Sequence, residues 1–374
     1  MKKKVLIISL KYSIGLLKEM ILIKDKLSSL NIESRMIIDG QYKNLGIDLG
    51  RNVRFTPPTE NYFQIIRSVF SYFFGFKSKF RLSSDDITKD ASSFSIFYNG
   101  HPLNFFYARS LKLNGARTIL FLHEPFMPNK TKYGFKKFIT ITIIELIQYI
   151  SFYAMDEIIC PSKVAFNEFS KKYPKFKDKV RVIPLMVPPT EATHCDKKFF
   201  TIIGNDHPAK NYDTFFNLVK MSYQRGLDNQ FCIVTRSDIS SRLSSLSEEE
   251  KRNLKVINKN VITDEEIDSL IGQSWAVFKL DKAITQSGIV SLCFMKKTPV
   301  IVNAIEGFLQ DVKDKETGVT INCENKDCLE EIIEGMNFIR NNVATIERNI
   351  SQVYDQKWSP NNWEKHYSPV FLLD

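Results

Sequence analysis

Ala276-Val-Phe-Lys-Leu-Asp-Lys-Ala-Ile-Thr-Gln-Ser-Gly-Ile-Val-Ser-Leu-Cys-Phe-Met295 reads as strand, loop and helix. Ala276–Phe278 is a short apolar run of strand type. Ser287-Gly288 supplies a helix start, and Gly288–Met295 continues it as a largely apolar helix. Thr298–Val302 then gives a second strand. Strand, crossover helix and strand in that order form the unit of a parallel sheet covered by helices.

The same alternation extends in both directions. Towards the C-terminus it adds a strand at Gly318–Ile321 and helices near Phe308–Val312 and Asp327–Phe338. On the N-terminal side it adds strands at Phe199–Ile203, Phe231–Thr235 and Lys255–Ile257, with helices near Asn211–Arg225 and Asp264–Ile271. Met186-Val-Pro-Pro-Thr-Glu-Ala-Thr193 breaks the pattern, because two prolines among turn formers continue neither element. Before it lies another set: strands at Val5–Leu10, Ser34–Ile38, Ser95–Tyr98, Thr118–Leu122, Glu157–Ile159 and Val180–Ile183. Helices fit between them at Ile14–Leu30, Tyr62–Phe80, Pro102–Leu113, Tyr133–Met155 and Ser162–Tyr173. The expected class is α/β, with two Rossmann-like domains facing across a cleft: residues 1–186, a linker at 187–196, and residues 197–355. An aromatic tail at 356–374, including Trp358 and Trp363, either packs back on the first domain or lies on the surface.

The 374 residues are 43% hydrophobic and 25% charged, which excludes wholesale disorder and fibrous repeats. Net charge is +10, unevenly spread. Residues 1–190 hold 30 Lys+Arg against 15 Asp+Glu, and the remainder holds 22 against 27. Six scattered cysteines form no C-x-x-C pair and no zinc-type spacing with the histidines, so reduced thiols and no metal are expected. Lys2-Lys3-Lys4 before Val5–Leu10 imitates a signal peptide, but Lys11 interrupts the apolar run and no small-residue cleavage site follows. The longest apolar stretch, Phe138–Met155, contains Glu145 and Gln148, and so suits a buried or surface-lying helix better than a spanning one.

No G-x-G-x-x-G follows the first strand, and no P-loop is present. Three junctions in the second half suit a phosphorylated ligand instead. Thr285-Gln286-Ser287-Gly288 opens a helix, whose N–H groups and dipole favour an anion; plain capping is the alternative. Gly204-Asn205-Asp206-His207-Pro208-Ala209-Lys210-Asn211 follows a strand, and Lys210 reaches either a phosphate or water. Thr235-Arg236-Ser237-Asp238 ends the next strand and offers Arg236 as a forked phosphate contact. All three lie at C-terminal strand ends, where open α/β sheets bind ligands.

The order Gly204…Lys210-Asn211, Val261–Ile267, Lys279…Gly288, Lys297–Ile301, Glu306-Gly307-Phe308 and Gly318 resembles the donor half of retaining GT-B glycosyltransferases of family 4, in a bacterial surface-polysaccharide (O-antigen or capsule) branch. Thr118-Ile-Leu-Phe-Leu-His123-Glu-Pro resembles that family's strand ending in an active-site histidine. The resemblance implies a GT-B enzyme using a nucleotide sugar, UDP- or GDP-linked, with neither metal nor further cofactor. It implies Lys210 on the donor diphosphate, Ser287 and Gly288 presenting N–H groups to it, and His123 near the donor sugar and acceptor hydroxyl. Gly204, Asn205, Arg236, Thr285 and Gln286 complete the donor-binding candidates. Asn205 stands where the family usually has arginine, and Thr285 and Cys293 stand where many members have two glutamates; Gln286 or Asp281 are substitutes for those carboxylates. Ser13, Gly15 and Glu124 are acceptor-side candidates by position.

Retaining members are generally thought to let the leaving phosphate accept the acceptor's proton, so a clear carboxylate base is not required. Asp85-Asp86 lacks D-x-D spacing and reads as a solvated loop. His123 either positions reactants or caps a buried strand end. Aromatics interleaved with Arg67, Lys77 and Lys79, and lysines at 130–137 and 171–179, suit either a core or a domain lying on an anionic leaflet near a lipid-linked acceptor. The protein is then cytoplasmic and peripheral on the inner face of the plasma membrane. No recognition motif accompanies the charge, so nucleic acid is not expected. The competing reading is an inactive GT-B-like scaffold in a polysaccharide-assembly complex.

Overall fold

The computed structural model describes residues 4–10, 12, 14–45, 49–50, 52–56, 93–101, 103–123, 135–190 and 195–371. Ser13, Glu124, Asp85, Asp86 and the aromatic stretch 62–80 lie outside them. The chain divides into two compact units, Met1–Leu185 with His366–Asp374, and Met186–Lys365.

The first unit holds seven strands: β1 (Lys4–Ser9), β2 (Glu33–Asp39), β3 (Val53–Thr56), β4 (Phe94–Tyr98), β5 (Arg117–Phe121), β6 (Glu157–Cys160) and β7 (Val180–Val182). They pair in the order β3-β2-β1-β4-β5-β6-β7, all parallel. Its helices include α1 (Ile14–Ser29), α2 (Asn104–Leu113), α3 (Phe135–Ala154) and α4 (Lys163–Lys172). Val5–Ser9 and Phe94–Tyr98 are buried throughout, as expected of central strands covered on both faces.

The second unit holds β8 (Phe199–Ile203), β9 (Phe231–Thr235), β10 (Leu254–Asn258), β11 (Ser274–Lys279), β12 (Val300–Asn303) and β13 (Gly318–Ile321). Their order is β10-β9-β8-β11-β12-β13, again parallel. Its helices are α5 (Tyr212–Gln224), α6 (Ser240–Leu243), α7 (Glu248–Lys251), α8 (Asp264–Gly272), α9 (Gly288–Met295), α10 (Glu306–Leu309) and α11 (Cys328–Lys357); α12 (Trp363–Phe371) follows and belongs to the first unit from His366 onward. Phe200, Phe215, Phe231 and Phe278 meet at the centre of its core. Strand order reverses between β8 and β11, the switch point beside which such sheets bind ligands.

Several elements differ from the sequence reading, which named no helix at α6, α7 or α12. The edge strand β3 was not expected, because Val53-Arg-Phe-Thr56 is short and half-buried throughout. Helix α11 runs 30 residues, well past Phe338, since Ile346, Ile350 and Tyr354 resume the buried stripe after the polar stretch 340–342. Among the described residues no helix is long and apolar enough to cross a membrane.

Candidate active site

In the second unit the loops after β8 and β11 flank the switch point. Gly204 ends β8 at φ +134°, a conformation that favours glycine, and Tyr212 donates its hydroxyl hydrogen to the Gly204 carbonyl. A short turn, Pro208–Lys210, follows, and Asn211 at φ 54° begins α5. The backbone N–H of Lys282 donates to Ala209 O at 2.8 Å, tying the two loops together.

That tie brings together three charges. Lys279, at the end of β11, is 3% exposed, and its Nζ lies 2.9 Å from Asp281 Oδ2. Lys210 pairs with the other oxygen of the same carboxylate. Burial alone would raise the Asp281 pKa; the two ammonium groups outweigh it and hold the carboxyl below its ordinary range. Burial pushes Lys279 down, with Asp281 opposing. Both oxygens of the Asp281 carboxylate thus face a lysine amine.

Helix α9 starts beside this cluster in sequence. Ser287 is its N-cap, with Oγ accepting from Val290 N at 3.4 Å. The capping alternative thus holds for the side chain, while the N–H groups of Gly288 and Ile289 have no intrahelical acceptor. The preceding loop rests on α10: Gln310 Nε2 donates to Thr285 O at 2.8 Å. A Cβ on Gly307 would stand 2.0 Å from Ile284 O, so glycine is required there. Gly307→Ala is expected to displace this loop and to cost about 1–3 kcal/mol, read as a lower urea midpoint. An unchanged midpoint would show that the loop is free to shift.

Other candidates fall differently. Cys293, at one family glutamate position, faces the core, where burial pushes its thiol up to about 12. Arg236 is exposed, its backbone N–H 3.4 Å from Asn205 Oδ1. The ordered guanidinium nearby is Arg242, held between Asp206 and Asp213, and sequence reasoning did not single it out. Gln286 is half-buried in the same loop as Thr285.

In the first unit His123 follows β5 and is 8% exposed. Its Nε2 lies 3.5 Å from Glu19 Oε2 of α1, and its ring stacks on Tyr98 at 6.3 Å. Tyr367 of α12 donates to Glu19 Oε1 at 2.9 Å. Burial lowers the His123 pKa to about 3, so the imidazole is uncharged at neutral pH. Burial raises Glu19 to about 8, with the Tyr367 hydrogen bond opposing. Glu19, Tyr98 and Tyr367 were missed in the sequence. For Glu19 a signal existed: it lies on the stripe of Leu16, Met20, Ile23 and Leu27 that α1 buries. Gly15 is exposed at the start of α1.

These two values oppose each other. Between pH 4.5 and 8 the folded chain keeps a proton on Glu19 that the unfolded chain has lost, so stability falls as pH rises. Between pH 3 and 6.5 the unfolded chain carries a proton that folded His123 refuses, so stability rises. The effects cancel in the overlap, leaving a decline above pH 6.5 that belongs to Glu19. Glu19→Gln is expected to remove it, so that stability relative to wild type improves from pH 6.5 to 8 in chemical unfolding. A constant difference would refute the shift.

No protein-family description and no curated protein matches the chain. Solved structures do. A glycosyltransferase from Rickettsia africae is similar at 15% identity and TM-score 0.66, covering 99% of this chain and 98% of that one. TarM is similar at 12% identity and TM-score 0.69, covering 99% of each chain. Anabaena Alr3699/HepE in complex with UDP and glucose is similar at 12% identity and TM-score 0.69, covering 98% and 99%. Whole-chain likeness to these proteins, together with the two parallel sheets, defines the fold as GT-B.

Proposed function

We propose that the chain is a retaining, metal-independent glycosyltransferase of the family 4 type. It moves a sugar from a nucleotide sugar to a growing, lipid-linked bacterial polysaccharide or glycolipid at the cytoplasmic face of the plasma membrane. The observation that carries the reading is the Lys210–Asp281–Lys279 cluster at the switch point of the second sheet, with the start of α9 following on the same loop. Complexes of HepE with UDP and with UDP-glucose support it by likeness of fold.

In this reading the second unit holds the donor and the first the acceptor. The anomeric C–O bond breaks, and its electron pair stays on the departing nucleotide diphosphate. Lys210 and the α9 N–H groups stabilise that charge, which is where fixed positive groups lower a barrier most. The acceptor hydroxyl oxygen bonds to the anomeric carbon, and its proton passes to the departing phosphate. His123, being neutral, positions the reactants by hydrogen bonding and not by charge. The scaffold reading draws support from Cys293, buried where a ligand-binding glutamate is usual.

A thermal-shift series with UDP, GDP, CMP and their sugars decides between the two. A donor that binds only the folded state raises its melting temperature. UDP or GDP sugars are expected to do so, followed by transfer to lipid-linked acceptors. If every nucleotide leaves the melting temperature unmoved at millimolar concentration, the enzyme reading fails.

A further inference from the structure

Helix α3 exposes the side chains that a surface helix normally buries. Phe135, Ile139, Ile143, Leu146, Ile150 and Tyr153 are all exposed, Phe135 by 78% and Leu146 by 61%. Each follows the last by four or three residues, which at about 100° per residue confines them to an arc of about 80°. They form one apolar stripe along a helix about 30 Å long. The opposite face is also apolar, with Ile141 and Phe152 buried in the core. An amphipathic surface helix would place polar groups where this stripe lies.

The stripe is continued and rimmed by cations. Leu113, at the end of α2, is 81% exposed and shares a 310 Å³ pocket with Tyr153, Arg109 and Lys112. Lys175 Nζ lies 3.3 Å from the Tyr153 hydroxyl and 4.9 Å from its ring centre. Lys171 and Lys177 are exposed on the same segment. Glu145 pairs with Lys172 at 3.0 Å and Asp156 with Lys112 at 2.5 Å, and Asp178 stands exposed between Lys177 and Lys179, which leaves the segment 171–179 with five lysines against one carboxylate. An apolar stripe beside a net excess of lysines matches a helix lying in a headgroup layer, its side chains among acyl chains and its ammonium groups at lipid phosphates. A second copy of the chain fits poorly, since apposing two such faces brings like charges together.

We infer that the α3 stripe and its lysine rim are the face by which the first unit lies on an anionic bilayer. The inference names the surface that the lipid-linked acceptor reading requires, and rests on that reading only for its biological purpose. The test uses the full chain and vesicles of phosphatidylglycerol and phosphatidylethanolamine in equal parts, against phosphatidylcholine alone. Co-sedimentation is expected with the anionic vesicles and should weaken as salt rises. Leu146→Glu with Ile150→Glu, and separately Lys175→Glu with Lys177→Glu, should each lower partitioning by about tenfold or more. All four residues are exposed, so melting temperatures with and without nucleotide should stay as in wild type. Absence of binding at low salt overturns the inference, as does binding unaffected by the apolar pair. A wild-type dimer in sedimentation velocity that the apolar pair dissociates overturns it in favour of a second copy. Vesicle binding without any nucleotide-induced rise in melting temperature supports the docking face while sinking the transferase reading; a rise without vesicle binding does the reverse.

Discussion

Lys210→Ala is expected to lower sugar transfer at saturating donor by about 10²–10³-fold, the usual cost of removing one fixed group that meets developing negative charge. The effect should fall on kcat more than on KM, because charge on the leaving diphosphate is greatest as the anomeric bond breaks. The fold should survive. Lys210 is 30% exposed in its side chain, and Asp281 keeps Lys279 as a partner when Lys210 is removed. Removing the carboxylate is a different matter, since it leaves Lys279 buried and unpaired, a loss of about 3–5 kcal/mol for such pairs. Lys210→Ala therefore separates chemistry from stability, and Asp281→Ala does not. Steady-state rates with a radiolabelled donor provide the readout; an unchanged kcat in Lys210→Ala would remove this lysine from the mechanism.

His123→Ala is expected to reduce transfer by about 10²-fold while leaving the nucleotide-induced melting shift as in wild type. The residue belongs to the first unit, whereas the proposed nucleotide contacts belong to the second. His123→Asn, which keeps a neutral hydrogen-bonding group, should retain more activity than the alanine variant. Because burial holds the imidazole uncharged down to about pH 3, its titration should leave no inflection in kcat between pH 5 and 8. An inflection lost in His123→Asn would mean that the ring carries a proton during turnover.

The parallel sheets were legible in the sequence because their strands are continuous apolar runs, buried on both faces, separated by helical periodicity. The loops of the second unit were legible for a related reason. Strand ends marked by Gly204 and Ser287-Gly288 announce a change of element whatever lies further along the chain. The partners of His123 were harder to see. Tyr98, Glu19 and Tyr367 come from β4, α1 and α12, and their meeting depends on sheet order and on a helix more than 240 residues further along. The role of Asp281 was hidden similarly. A carboxylate two residues from a lysine reads as open to a ligand, until both lysines turn out to close on it.

The contact between Tyr367 and Glu19 also bears on how the chain is made. Helix α12 supplies Tyr367 and Phe371 to the first unit, where they stack on Phe121 and edge against Phe94. A nascent first unit therefore keeps a gap beside Glu19 until Tyr367, which follows the second unit in the chain, has emerged. Synthesis from the N-terminus would complete the second unit before the first. A helix made after the second unit is then the one that closes the earliest core.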